Sequence, residues 1–221
     1  PFNKGYNDGA GNPPNPDGLK TDYLWKDILT KAEISNILEN YAQIVEEKDE
    51  DTGKKHYKQI FPRYHQLQVV KSLLGDALND GAGHRYLIQH SAGSGKSNSI
   101  AWLAHQLVTL KGSDGKVFDT IIVVTDRINL DKQIKNTIRQ FMQVSSTVGW
   151  AKDSTELKNL LDEGKSIIIT IVHKFKFILK DITDIHKNKN FAIIIDEAHS
   201  SQNGSLSAQM NIVLSGNVYN D

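Results

Sequence analysis

The stretch YLIQHSAGSGKSNSIAWLAHQLVTLK, residues 86–111, decides how this chain is read. Its first part, Tyr86 to Gln89, is an apolar run of strand type, and Ser97 to Lys111 repeats apolar residues at helical spacing. Between them lies a loop rich in glycine and serine that ends in Lys96-Ser97. Strand, glycine-rich loop, Lys-Ser and helix, in that order, is the arrangement a phosphate cradle needs. Gly93 and Gly95 allow the tight turn in which backbone N–H groups surround an anion, with Ala92 and Ser94 completing the cradle. The helix N-terminus that follows adds partial positive charge. Lys96 would supply a point charge to the β and γ phosphates of a nucleotide. Ser97 would place a hydroxyl where a hydrated magnesium ion bridges them. The full phosphate-loop pattern has glycine at its first position, and here that position is His90. A loop that merely joins a strand to a helix is the bland alternative, and the flanking elements favour the phosphate reading.

Downstream, three more apolar runs follow: Thr120 to Val124, Ser166 to Val172, and Phe191 to Ile195. They are nearly continuous rather than alternating, as expected of parallel strands covered on both faces. Ser97 to Lys111 and Leu130 to Phe141 supply helices for two of the crossovers. The expected fold is therefore α/β, an open and mostly parallel sheet flanked by helices, with its ligand at the carboxyl ends of the strands.

The last run continues as FAIIIDEAH, residues 191–199, which sets two carboxylates just past a strand. Burying ionised carboxylates is costly unless a cation or hydrogen-bond donors compensate. A nucleotide-bound magnesium ion would do so. Asp196 would then hold the metal through its water shell, while Glu197 would orient and deprotonate the attacking water. His90, His173 and His199 also fall near strand ends, but their spacing is not that of a local ligand pair, and hydrogen-bonding roles fit them better than a metal site.

Residues 1–18, rich in Gly, Asn and Pro, read as an extended linker. Residues 19–60 read as a helical connecting segment, with Tyr23, Leu24, Ile28, Ile34, Ile37, Leu38, Tyr41 and Val45 at helical spacing and Thr30 with Glu33 as a capping box. The charged stretch Glu46 to Lys55 reads as a solvated turn. The main domain is then 61–221. The 221 residues suffice for one sizeable core. With 26 Lys plus Arg against 26 Asp plus Glu, no field of the whole chain points to an anionic partner, so any DNA contact must be local. The absence of cysteine excludes disulfides and thiolate metal sites. No run approaches a membrane span and no targeting segment opens the chain, so a cytoplasmic protein is expected. A chain beginning at Pro1 and stopping soon after a motif reads as a piece of something larger.

Asp-Glu-Ala-His after an apolar strand, with Gly-Ser-Gly-Lys-Ser upstream, resembles the superfamily 2 helicase ATPases, whose engines are paired RecA-like domains. That resemblance makes residues 61–221 the first RecA-like domain, adds His199 to the catalytic motif, and implies ATP and Mg2+ as cofactors. Arg63-Tyr64-His65-Gln66 resembles the family's adenine-reading element, with Gln66 selecting ATP. The segments 123–133 and 170–175 look like the next two motifs, which would put Thr125, Arg127, His173, Lys174 and Phe175 along a nucleic-acid track. The narrower resemblance is to the motor subunit of type I restriction enzymes, through Asp126-Arg127, Leu130-Asp131, Gln133, Lys174-Phe175 and the Ser201-Gln202 that follows the acidic motif. Ser200 stands where that family often has Arg, and His173 where it often has Gln. Gly11-Asn12-Pro13 and Thr21 to Trp25 look like that family's junction between nuclease and motor.

The resemblance implies ATP-driven translocation of double-stranded DNA, in a complex with methylation and specificity subunits, before cleavage. The nuclease carboxylates would lie before Pro1 and the second RecA-like domain after Asp221, so ATP binding with little turnover is expected of this piece alone. Another superfamily 2 DNA or RNA helicase or translocase is the nearest alternative. A nucleotide switch would need a guanine-reading Asn-Lys-x-Asp, and Asn188-Lys189-Asn190-Phe191 lacks the final Asp.

Overall fold

The computed structural model describes residues 2–3, 12–49, 52–91, 93–125, 134, 137–138, 147–151, 153–171 and 189–196. A π-helical turn, Leu24–Ile28, leads into helix α1 (Lys31–Asn40). Thr30 caps α1 by accepting from the Glu33 amide at 3.2 Å. The Glu33 carboxylate itself turns outward to an ion pair with Lys71, 2.6 Å away on helix α2 (Tyr64–Asp80).

Residues 43–60 depart from the helical expectation. They form an antiparallel hairpin, β1 (Gln43–Lys48) with β2 (Lys55–Ile60), in register from Gln43 opposite Ile60 to Lys48 opposite Lys55. Tyr41 and Val45 are both buried, but a helix end followed by a strand satisfies that four-residue spacing as well as a helix does. The neighbour Ile44 is 68% exposed, the alternation of a strand. The charged stretch does supply the turn. Asp49 accepts from the Thr52 amide at 2.7 Å and hydroxyl at 2.8 Å, and Gly53 takes a positive φ of 69°.

After α2 come helix α3 (Lys96–Thr109), a two-residue hairpin of β3 (Lys111–Gly112) and β4 (Gly115–Lys116), and strand β5 (Thr120–Thr125). Strand β6 (Val148–Trp150), helix α4 (Ser154–Asp162), β7 (Ile167–Ile171) and β8 (Phe191–Ile195) complete the described elements. The larger sheet has the order β6-β7-β5-β8, and all its pairs are parallel. Ile121, Val123, Ile167 and Ile169 pack into one core with Ala101, Ala104 and Leu107 of α3 and with the helical residues Ile134 and Ile138. Their strand neighbours Ile122, Val124 and Ile168 pack into a second core with Leu157 and Leu161 of α4. Helices on both faces explain why β5 and β7 are apolar at every position but Thr120, Thr125 and Thr170.

The expected strand Tyr86 to Gln89 is a correction. It has no ladder, and Tyr86, Leu87 and Ile88 are 45%, 87% and 41% exposed. A strand exists only through backbone pairing, and among the described residues the sheet ends at β8, whose outer edge these residues do not join. An apolar run fixes suitability for a strand but cannot supply the neighbour. Of the expected helix Leu130 to Phe141, only Ile134, Thr137 and Ile138 are described, and these are helical. No helix among the described residues is long and apolar enough to cross a membrane.

Candidate nucleotide-binding site

The loop between His90 and α3 is built by two left-handed glycines, Gly93 at φ 72° and Gly95 at φ 81°. Gly95 is the N-cap of α3, so Lys96 and Ser97 open the helix and share the face of its unpaired N-terminal amides. The loop closes on itself by a 3.3 Å bond from the Ser94 amide to the Ser91 carbonyl. The Gly95 carbonyl accepts from the amides of Asn98 and Ser99, at 3.1 and 3.3 Å.

Helix α2 holds this loop from behind. Gln66, 3% exposed, donates from Nε2 to the carbonyls of Ser94 at 3.2 Å and Gly95 at 3.0 Å, and its Oε1 accepts from the Arg63 amide at 2.8 Å. Both protons of the amide are thus spent on the loop. The residue singled out for reading adenine braces the Ser94–Gly95 segment of the loop in this structure. His65 adds a 3.1 Å bond from Nε2 to the same Ser94 carbonyl, a contact that sequence reasoning missed although His65 lies beside Gln66 in the quoted motif. Its ring stands edge-on to those of Tyr64 and His90, each with centroids 5.3 Å away. Burial, then the neighbouring His65, then Lys96 push the His90 pKa below the usual imidazole value, which favours a neutral ring beside the loop.

The polar groups around the loop suit a nucleotide with its metal. Ser94 Oγ and Ser99 Oγ are buried and have no hydrogen-bond partner within the described protein, an arrangement that costs stability unless a ligand or water answers it. Asp196 follows β8 and is 7% exposed, its amide donating to the Val124 carbonyl at 2.9 Å. Thr125 ends β5, fully buried, with its hydroxyl likewise without a partner. Because Val124 pairs with Ile195, Thr125 and Asp196 lie level at the carboxyl end of adjacent strands. Helix α3, which carries Lys96 and Ser97, packs against both of those strands. Cradle, lysine, hydroxyl and buried carboxylate fit a phosphate chain with a hydrated cation. Ala92, Arg127, His173, Lys174, Phe175, Glu197 and His199 lie outside the described residues.

Comparison with known proteins agrees with this geometry. The chain is 26% identical over 92% of its length to a type I restriction enzyme endonuclease subunit, MjaVIIIP, of Methanocaldococcus jannaschii, and covers 22% of that protein. It is 28% identical over 71% of its length to the HindI endonuclease subunit of Haemophilus influenzae, covering 15% of it. A Staphylococcus saprophyticus subunit of the same description, SsaAORF53P, is 28% identical over 65% of this chain. The chain thus spans about a fifth or less of the length of these relatives. The profile of the SWI2/SNF2 ATPase family matches residues 65–219, from His65 through the loop and past the acidic motif, and on that match the chain belongs to the SWI2/SNF2 ATPase family.

Proposed function

We propose that this chain is the ATP-binding part of a DNA-translocating motor within the endonuclease subunit of a type I restriction enzyme. The observation that carries the reading is the Gly93–Ser97 loop at the head of α3, its carbonyls bonded to α2 and its lysine and serine at the helix N-terminus. In that role Lys96 binds the β and γ phosphates, and the amides of the loop orient them. Ser97 and Asp196 would hold Mg2+, which neutralises charge on the phosphate oxygens when bound. Glu197 takes a proton from the attacking water, and His199 belongs to the same motif. Gln66 supports the loop with both amide protons, so in ATP selection its role is confined to Oε1, which keeps a lone pair to accept from the adenine amino group; Thr125, Arg127, His173, Lys174 and Phe175 are the candidates along the DNA track. The partners are double-stranded DNA and the methylation and specificity subunits, consistent with relatives described as restriction endonuclease subunits.

Calorimetry with MgATP, MgGTP and the Lys96→Ala variant tests the nucleotide site. ATP-selective binding that weakens at least tenfold in the variant supports the reading; equal binding by parent and variant overturns it. Strand separation by the full-length protein would favour a general superfamily 2 helicase instead.

A further inference from the structure

We propose that His65 is a positioning residue of the phosphate loop, acting through the Ser94–Gly95 peptide to aim the Gly95 N–H at the bound anion. The inference deepens the nucleotide reading and rests on it. His65 is the second residue of α2, and its Nε2 lies 3.1 Å from the Ser94 carbonyl oxygen. A carbonyl can only accept, so Nε2 carries the proton. The same oxygen takes a second bond from Gln66 Nε2 at 3.2 Å. Two side-chain donors from consecutive residues therefore converge on one peptide of the loop.

The peptide group is planar and trans, so its carbonyl and its N–H point in opposite directions. Fixing the Ser94 oxygen toward α2 turns the Gly95 N–H away from α2. The left-handed φ of 81° at Gly95 then carries the chain directly into the first turn of α3, so that this amide joins the helix's unpaired N-terminal amides. Donors on the carbonyl also polarise the peptide and strengthen its N–H as a donor. The His65 ring is held for this task by perpendicular neighbours, Tyr64 at 86° and His90 at 90°. His65 thus does not touch the phosphate; it sets the amide that does.

Two substitutions separate the bond from the ring. His65→Phe keeps an aromatic ring against Tyr64 and His90 but removes the donor, whereas His65→Gln retains an N–H at a comparable reach. Affinities of this chain for MgATP and for magnesium tripolyphosphate would be measured by calorimetry, with thermal unfolding recorded in parallel. His65→Phe is expected to weaken both ligands equally, by about tenfold, the worth of one such bond, and His65→Gln to recover most of the loss. Undiminished tripolyphosphate affinity in His65→Phe, with the parent binding normally, would overturn the proposal and leave the nucleotide reading intact. A loss for ATP alone would place His65 at the base and overturn it too. Failure of the parent chain to bind either ligand would overturn both.

Discussion

A Cβ placed on Gly95 would stand 2.5 Å from the amide nitrogen of Gln66, so glycine at 95 and the Gln66 bridge require each other. Gly93 has a similar left-handed φ but open space around it. Gly95→Ala must therefore bear the left-handed strain, about 1–2 kcal/mol, and also displace the Gln66 bonds to Ser94 and Gly95. Gly93→Ala bears only the first. Urea unfolding should rank Gly95→Ala as the less stable by about 1–2 kcal/mol, with the larger loss of ATP affinity. Equal effects of the two would show that the Gln66 bridge contributes nothing.

The loop's helix is anchored at its other face by Trp102, whose indole N–H donates to the Tyr41 carbonyl at 2.9 Å, with the rings 5.8 Å apart. Both side chains are buried, so Trp102→Phe removes a donor from a carbonyl that water cannot easily reach. The expected cost is about 1–3 kcal/mol, with a further loss for the smaller ring. Chemical denaturation measures it. A change under about 0.5 kcal/mol would mean that the link between α3 and the N-terminal segment is energetically idle.

Much of the architecture was legible because it was written in periodicity. The runs Ile121 to Val124 and Ile167 to Ile169 are apolar at every position because helices cover both faces of the sheet. The tight turn before α3 was legible because Gly93 and Gly95 each take the left-handed backbone that such a turn demands. The hairpin was not, because Ile44 and Val45 offer only one alternation before charge takes over. Val148 to Trp150 is too short to show a period, whereas α4 is signalled by Asp153, which caps it at 2.8 Å to the Glu156 amide, and by Leu157, Leu160 and Leu161 at helical spacing. Tyr86 to Gln89 failed for a different reason, since strand pairing is a property of two segments and the run describes one. His65 failed because its role lies in a contact across 29 residues.

The short strand β6 meets α4 at a second tight glycine. A Cβ on Gly149 would lie 2.7 and 2.8 Å from the two methyl carbons of Leu160. Overpacking of this kind costs about 1–3 kcal/mol, so Gly149→Ala should destabilise while leaving ATP affinity nearly unchanged. Leu160→Ala makes room, and the double variant should be more stable than the sum of the single effects predicts, by at least about 0.5 kcal/mol. Strict additivity in that cycle would show that α4 shifts freely on the sheet.

Acid should weaken this fold through its histidines. Burial holds the His105 pKa below its ordinary value of 6.5, only partly offset by the bond from Nε2 to the Ile138 carbonyl at 3.1 Å, and burial likewise lowers that of His90. In the window from 6.5 down to these lower folded values the unfolded chain binds more protons than the folded one, so unfolding free energy rises with pH. The stability these neutral rings contribute is complete above the ordinary value and is lost as pH falls through that window. Urea unfolding at a series of pH values from about 7.5 to about 5 should therefore show a falling midpoint. His105→Gln cannot titrate but keeps an N–H that can reach the Ile138 carbonyl, so it should flatten the decline relative to the parent. An unchanged slope in that variant would assign the acid sensitivity to other groups and remove His105 from the account.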